Sequence, residues 1–252
     1  MRHTNYKPTG NTCLFESELK TEKLTKLGNP LEKLSKVVDF EMFRPQLEEI
    51  LHNKEKDYSK GGARPYDVVL MFKIIVLQQL YNLSDDQMEY QLNDRISFRN
   101  FVGLSSGDKV PDAKTIWLYN NNLSQSGAVQ GLFDQFSAYL REKGFYLNAG
   151  QNFFADSAYV GDNVYNVLAA NDMVPQVVER AYRGKPLTEV QKKVNKLKSR
   201  IRARVEHVYG YMEVGMNRMF SRRIGMARNC HFIGMRNLVY NMMRLGQLAK
   251  YA

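Results

Sequence analysis

The spacing of apolar residues changes near residue 145, and this change limits the folds that the chain can adopt. Before this point apolar residues recur three and four apart, as in Leu132–Leu140, which is typical of helices. After it, the short apolar run Phe153–Ala155 leads directly into Asp156, and Met173–Val178 is a second run of strand length. Strand, helix, strand and helix in succession indicate an α/β unit. We therefore predict a mixed α+β fold, helical before residue 145 and α/β after it.

The first half of the chain is predicted to form several short helices. Ser84 with Gln87 three residues later has the pattern of a capping box, and a further helix carrying Ile116 follows Pro111-Asp112. Short helices joined by tight loops are compatible with a DNA-binding helix-turn-helix and with an ordinary helical bundle. The bundle is favoured, because the 175 residues before Gln176 are net acidic.

A long amphipathic helix is predicted near the end of the α/β part. Thr188 with Gln191 forms a second capping-box pattern. The apolar residues that follow it at spacings of three and four are Val190, Val194, Leu197, Ile201, Val205, Val208 and Met212. We expect these residues to form one buried stripe.

This helix carries one carboxylate within a cluster of cations. Arg202 and Glu206 are four residues apart and share a helix face, Arg200 and Arg204 flank them, and His207 follows. The arginines can hold a phosphate backbone near a carboxylate that binds a divalent metal. The alternative is a solvated face with one intrahelical ion pair, which contributes only a few tenths of a kcal/mol.

The positive charge of the chain is concentrated in its last third. The net charge is +10, and Gln176–Ala252 contains 17 Lys and Arg against 4 Asp and Glu, whereas the preceding 175 residues contain 19 against 22. A concentrated basic region indicates a polyanionic partner, most often nucleic acid, and the alternative is a merely soluble pair of basic helices. The candidate DNA-binding residues are Arg200, Arg202, Arg204 and His207.

The sequence does not indicate a membrane-spanning or a secreted protein. No uncharged apolar run approaches the eighteen or so residues that span a membrane, and Met1–Asn11 lacks the apolar segment of a secretory signal. Cys13 and Cys230 form no metal-binding spacing and suggest a reducing compartment. The cytoplasm is therefore the expected location.

Several longer motifs carry a resemblance to a known family. In the first half they are R-P-Y-D-V-V-L-M-F-K, L-Q-Q-L-Y-N-L-S-D-D-Q, D-R-I-S-F-R-N-F-V-G-L and P-D-A-K-T-I-W, and in the second half F-A-D-S-A-Y-V-G and R-A-R-V-E-H-V-Y-G. With these motifs the sequence resembles bacterial insertion-sequence DDE transposases. The resemblance implies a helical N-terminal domain over residues 1–144 and a DDE catalytic domain with basic C-terminal helices over residues 145–252.

The resemblance also implies a chemistry. Two aspartates and a glutamate on an RNase H-like fold hold two Mg²⁺ ions, which support cleavage and transfer of double-stranded DNA at terminal inverted repeats. Asp156 matches the second aspartate and Glu206 the glutamate, so both are expected to be catalytic and to bind metal. Arg202 matches the arginine of the related Tyr-Arg-Glu-Lys signature, whose tyrosine and lysine positions hold Ser199 and Glu213 here.

The sequence departs from the family at the first aspartate. In the family, a Gly-Gln leads into the strand that carries it, and further elements separate it from the second aspartate. Here Gly150-Gln151 is followed at once by Asn152–Asp156, so an intervening segment is missing. Asp134 and Asp162 are the nearest other acidic residues, and neither is placed to replace the missing ligand.

Two functions remain open from the sequence. The first is a transposase whose RNase H-like domain is incomplete and whose catalysis is impaired. The second is a non-catalytic DNA-binding remnant, or an inhibitor of an intact transposase. The sequence leaves homo-oligomerisation open.

Overall fold

The computed structural model describes residues 15–51, 64–105, 107–145, 152–155, 161–170, 173–181, 184 and 186–248, and for residues 152, 155 and 202–206 the backbone alone. Within these ranges the helices are α1 (Glu16–Lys26), α2 (Pro30–Val37), α3 (Arg44–Leu51), α4 (Val68–Tyr81), α5 (Asp85–Asp94), α6 (Ile96–Val102), α7 (Ala113–Gln125), α8 (Val129–Glu142), α9 (Asp162–Ala170), α10 (Glu189–Val214) and α11 (Met226–Leu248). A 3-10 turn over Phe40–Phe43 precedes α3, and the strands are β1 (Asn152–Ala155) and β2 (Val174–Val177).

The described chain is mostly helical, with one small parallel sheet formed by β1 and β2. It divides into two compact units, unit 1 (Met1–Leu132 and Ser221–Ala252) and unit 2 (Phe133–Phe220). This division follows packing. The domain boundary after residue 144 that the sequence motifs imply remains a prediction.

Unit 1 is built around α4. Ten of its fourteen residues are buried, on every side of the helix. A helix that is apolar all round is stable only when neighbours cover it completely. The neighbours in contact with it are α3, α5, α6, α7 and α11.

The start of α4 is fixed by Asp67. Its carboxylate accepts hydrogen bonds from the backbone N–H groups of Val69 and Leu70 and pairs with Arg44 at 2.7 Å. Partial burial opposes the charged form, but the bonds from Arg44 and the two N–H groups outweigh it and hold the pKa of Asp67 below its usual value. Because this cap lies at Asp67, α4 begins three residues after Pro65.

The C-terminal helix α11 returns to unit 1 and packs on α2, α4 and α7. Arg236 of α11 is fully buried, and its Nη1 donates to the carbonyl oxygen of Gln79 in α4 at 3.1 Å. At Gly234, any side chain would collide with Val129, so glycine permits the close approach of α11.

A buried chain of polar side chains links four helices of unit 1. Gln78 of α4 donates to Asp85 of α5 at 2.8 Å and accepts from Asn120 of α7 at 3.1 Å. His231 of α11 lies 2.9 Å from the Asn120 amide oxygen. Since unpaired buried polar groups are costly, this chain favours one arrangement of α4, α5, α7 and α11. Burial, and secondarily the charge of Arg223, lower the pKa of His231 to about 4.

We expect Asp67→Ala to destabilise unit 1 by about 1 to 2 kcal/mol, because the N-cap of α4 and the partner of Arg44 are both lost. Urea unfolding followed by circular dichroism measures the change. Glu49→Ala, at an exposed position of α3, is the matched control. Equal stability of the two variants would contradict the role given to Asp67.

We expect His231 to make unit 1 less stable as the pH falls from 6.5 to about 4. Between these values the unfolded chain binds a proton at His231 and the folded chain does not, so proton uptake favours unfolding. The contribution is about 2 to 3 kcal/mol. His231→Gln keeps a donor for Asn120 and removes the titration. Urea midpoints between pH 7 and pH 4.5 should therefore fall less in this variant than in the wild type, and parallel falls would exclude the effect.

Candidate active site and DNA-binding helix

The strands of unit 2 end where the sequence places the predicted catalytic aspartate. β1 and β2 pair in parallel, with Asn152 opposite Val174 and Ala155 opposite Val177. Both strands were predicted from the sequence and are confirmed. Asp156 follows Ala155 directly and lies outside the described residues, so its role remains a prediction.

The basic helix α10 was also predicted, and its start is confirmed. The Thr188 hydroxyl accepts from the backbone N–H of Gln191 at 3.3 Å, and the Gln191 side chain accepts from the backbone N–H of Thr188 at 2.8 Å. This capping box satisfies two of the N–H groups that the first turn of a helix leaves without partners.

Polar side chains fasten α10 to the end of β2. Asn195 accepts from the backbone N–H of Glu179 at 3.0 Å and donates to its carbonyl oxygen at 2.9 Å. Gln191 donates to the Glu179 carboxylate at 2.7 Å, and Lys198 donates to the carbonyl oxygen of Val177 at 3.0 Å. Residues 191, 195 and 198 therefore form the face of α10 that meets the exit of β2, and α10 also packs on β1.

The same face continues toward the predicted glutamate. With 3.6 residues per turn, the backbone position of residue 202 falls within about 40° of residues 191, 195 and 198, and that of residue 206 within about 80°. Glu206 lies within α10, eight residues and about 12 Å of helix rise beyond Lys198. Its role as a catalytic metal ligand remains a prediction, as does DNA binding by Arg202 and Arg204.

The opposite face of α10 is basic. Arg200 and His207, two of the predicted DNA-binding residues, are exposed and lie half a turn or nearly so from Gln191. Lys193 and Lys196 are exposed on the same side and were not singled out from the sequence. The sequence does contain a signal for this face, because Lys193, Lys196, Arg200 and His207 recur at spacings of three, four and seven. We call Lys193, Lys196, Arg200 and His207 the outer face of α10.

The prediction of a buried apolar stripe along α10 is wrong for its first half. Val190 is 71% exposed and Leu197 63%, while Val194 and Ile201 are also exposed. Met212, near the end of the helix, is buried. The reason is that α10 meets the strand exit through its polar residues, about a quarter turn from the stripe, and the described sheet has only two strands.

No described group of three or more His, Cys, Asp or Glu side chains is close enough to hold a metal ion. This finding does not cover Asp156 or the side chain of Glu206. Asp162, the first residue of α9, is exposed. Among the helices of the described ranges, none is long and apolar enough to cross a membrane.

Sequence comparisons match both parts of the chain. Residues 19–122 match the transposase domain DUF772, and residues 130–242 match the transposase DDE domain. No solved structure matches the chain. The order of a helical transposase domain and a DDE domain is that of a transposase.

The chain belongs to the family of insertion-sequence DDE transposases. Members of this family generally use divalent metal ions, and binding to DNA is implied by membership. The matched DDE region extends through most of α11, which packs in unit 1.

We expect Asn195→Ala to loosen the attachment of α10 to β2, because both backbone groups of Glu179 lose their partner. The loss should be about 1 kcal/mol, corresponding to roughly fivefold faster amide exchange at Glu179. Hydrogen exchange measured by NMR tests this, with Lys193→Ala as the exposed control on the same helix. Unchanged protection of Glu179 would show that the attachment does not depend on Asn195.

Proposed function

We propose that this insertion-sequence transposase retains binding to double-stranded DNA at terminal inverted repeats but is impaired in metal-dependent strand cleavage and transfer. The proposed impairment of catalysis is supported by one observation. α8 ends at Glu142, and the next described element is β1, which leads into Asp156. Residues 143–151, KGFYLNAGQ, contain neither Asp nor Glu. A strand carrying the first aspartate of a DDE site therefore has no counterpart between α8 and β1.

The remaining carboxylates do not fit a two-ion site. Two Mg²⁺ ions about 4 Å apart need several anionic oxygen ligands, and the site is normally shared among three carboxylates in this family. Asp156 and Glu206 supply two. Asp162 lies at the start of α9 and Asp134 within α8, so neither occupies a strand before β1.

DNA binding is supported by the outer face of α10. Cations at successive turns of one exposed helix face can contact phosphates along one groove. Within this face, Arg200 also offers the planar, bidentate geometry that suits phosphate oxygens. None of these groups depends on the missing strand.

The alternative function is that of a non-catalytic DNA-binding remnant or an inhibitor of an intact transposase. The same two features, an incomplete set of metal ligands and a basic helix, favour this alternative. A protein that occupies the terminal repeats without cutting them competes with an intact copy. Adding this chain to the intact transposase of the same element should then lower cleavage in proportion to DNA occupancy.

We expect the purified full chain to bind duplex DNA carrying the inverted repeats that flank its gene and to leave the duplex uncut with Mg²⁺ or Mn²⁺. Gel electrophoresis of end-labelled DNA measures binding and cleavage together. Asp156→Ala and Glu206→Ala should bind as the wild type does. Metal-dependent cleavage that both variants abolish would contradict impaired catalysis and would mean that another residue supplies the third carboxylate.

We expect replacement of Lys193, Lys196 and Arg200 by alanine to weaken DNA binding and to reduce its dependence on salt. Each lost phosphate contact lowers the slope of log K against log salt by about 0.9, so the slope should fall by roughly 2 to 3. The matched control replaces Lys20, Lys26 and Lys36, which are ion-paired on α1 and α2, and has the same net charge. Equal slopes for the two variants would exclude the outer face of α10 as a DNA contact.

A further inference from the structure

A second surface of the chain, on unit 1, combines positive charge with exposed apolar side chains. Residues 221–252 contain Arg222, Arg223, Arg228, Arg236, Arg244 and Lys250 and no acidic residue. Residues 1–132 contain 17 Lys and Arg and 17 Asp and Glu. The helical part is therefore neutral by itself, and the C-terminal segment makes unit 1 basic. The net acidity that favoured an ordinary bundle over a DNA-binding unit does not hold for unit 1.

The segment Ser221–Met226, which we call the α11 loop, is rigidly built. The side-chain amide of Asn229 donates to the carbonyl oxygens of Arg223 and Gly225, each at 2.9 Å, and its oxygen accepts from the Ser221 hydroxyl at 2.9 Å. The same hydroxyl accepts from the backbone N–H of Arg223 at 3.2 Å. Gly225, with φ +98°, provides the left-handed turn.

The α11 loop exposes two large apolar side chains at its tip. Ile224 is 87% exposed and Met226 80%. The loop is held by its own hydrogen bonds, so packing within unit 1 does not explain why these two side chains are exposed. Large exposed apolar groups commonly mark a site of interaction.

Arginines precede and follow this tip in the sequence. Arg222 is exposed, and Arg223 lies over the ring of Phe232 at 4.7 Å. On α11, Arg228 is held by Asn121 of α7, whose amide oxygen accepts from Nη2 at 3.0 Å and from Nε at 3.3 Å. These two hydrogen bonds fix the position of Arg228, and the partner that makes them is an uncharged amide.

We propose that the α11 loop inserts Ile224 and Met226 between base pairs of duplex DNA while the neighbouring arginines bind the flanking phosphates. Isoleucine and methionine are among the side chains that proteins insert at base steps from the minor groove, where they unstack the bases and bend the duplex. Arginines beside the wedge are attracted by the negative potential of a narrow minor groove. A loop that is already ordered loses little conformational entropy on binding. An anionic membrane surface would also suit basic and apolar groups, but the DDE transposase family favours DNA.

The test uses the full chain and a 40-base-pair duplex carrying the flanking inverted repeat, with 2-aminopurine placed at successive adenines. This proposal rests on the proposed DNA binding. The wild type should raise 2-aminopurine fluorescence several-fold at one base step. Ile224→Ser combined with Met226→Ser should bind about tenfold more weakly and leave the fluorescence unchanged. Leu19→Ser with Leu27→Ser, at exposed positions in α1 and directly after it, is the matched control and should behave as the wild type does.

The outcomes separate the two proposals. If the wild type binds the duplex but the loop variant binds and unstacks it equally well, the wedge is excluded and DNA binding stands. If the wild type binds no DNA, the proposed function fails together with the wedge. If the loop variant changes only the sedimentation of the protein, the loop is a contact with another copy of the chain. If it changes only binding to phosphatidylserine vesicles, the loop is a membrane contact. Either result excludes the wedge. Thermal unfolding by circular dichroism confirms that the variants are folded.

Discussion

The burial of α4 is the constraint on which unit 1 depends. This helix has no polar side that could face water over its length, so every neighbour has to be supplied by another part of the chain. One neighbour, α11, comes from the far end of the sequence and brings Arg236 to the α4 carbonyl at Gln79. The polar chain from Asp85 to His231 then favours one packing among those that would cover an apolar helix equally well.

Unit 2 is held differently. Its sheet is small, and the described contacts that fasten α10 to the exit of β2 are made by side-chain amides and a lysine rather than by the apolar stripe. Hydrogen bonds specify position but contribute little net stability each. Over its first half, the apolar stripe of α10 lies exposed within the part of the chain that the structure describes.

The features that could be predicted from the sequence are those set by local chemistry. The two capping boxes, at Ser84 and Thr188, form as expected, and β1 and β2 lie where short apolar runs meet small and acidic residues. The apolar stripe of α10 was correctly recognised as a face, but its first half was wrongly expected to be buried, because periodicity does not tell what covers a face. The return of α11 has no local signal either, since it depends on contacts between residues more than a hundred positions apart. For the candidate site, the helix that carries Glu206 was predictable. Lys193 and Lys196 recur at helical spacing with the predicted DNA-binding residues, but the sequence does not tell which face of α10 meets the exit of β2 and which stays exposed.

Unit 1 is assembled from both ends of the chain, and this has a consequence for synthesis on the ribosome. While residues up to about 225 are being translated, α4 has emerged but α11 has not, so part of its apolar surface stays uncovered until the last stretch is made. Uncovered apolar surface of this kind makes a chain prone to aggregation. Ribosome stalling or a stop codon in the last thirty residues would thus release a protein whose first half, although fully translated, lacks one wall of its core.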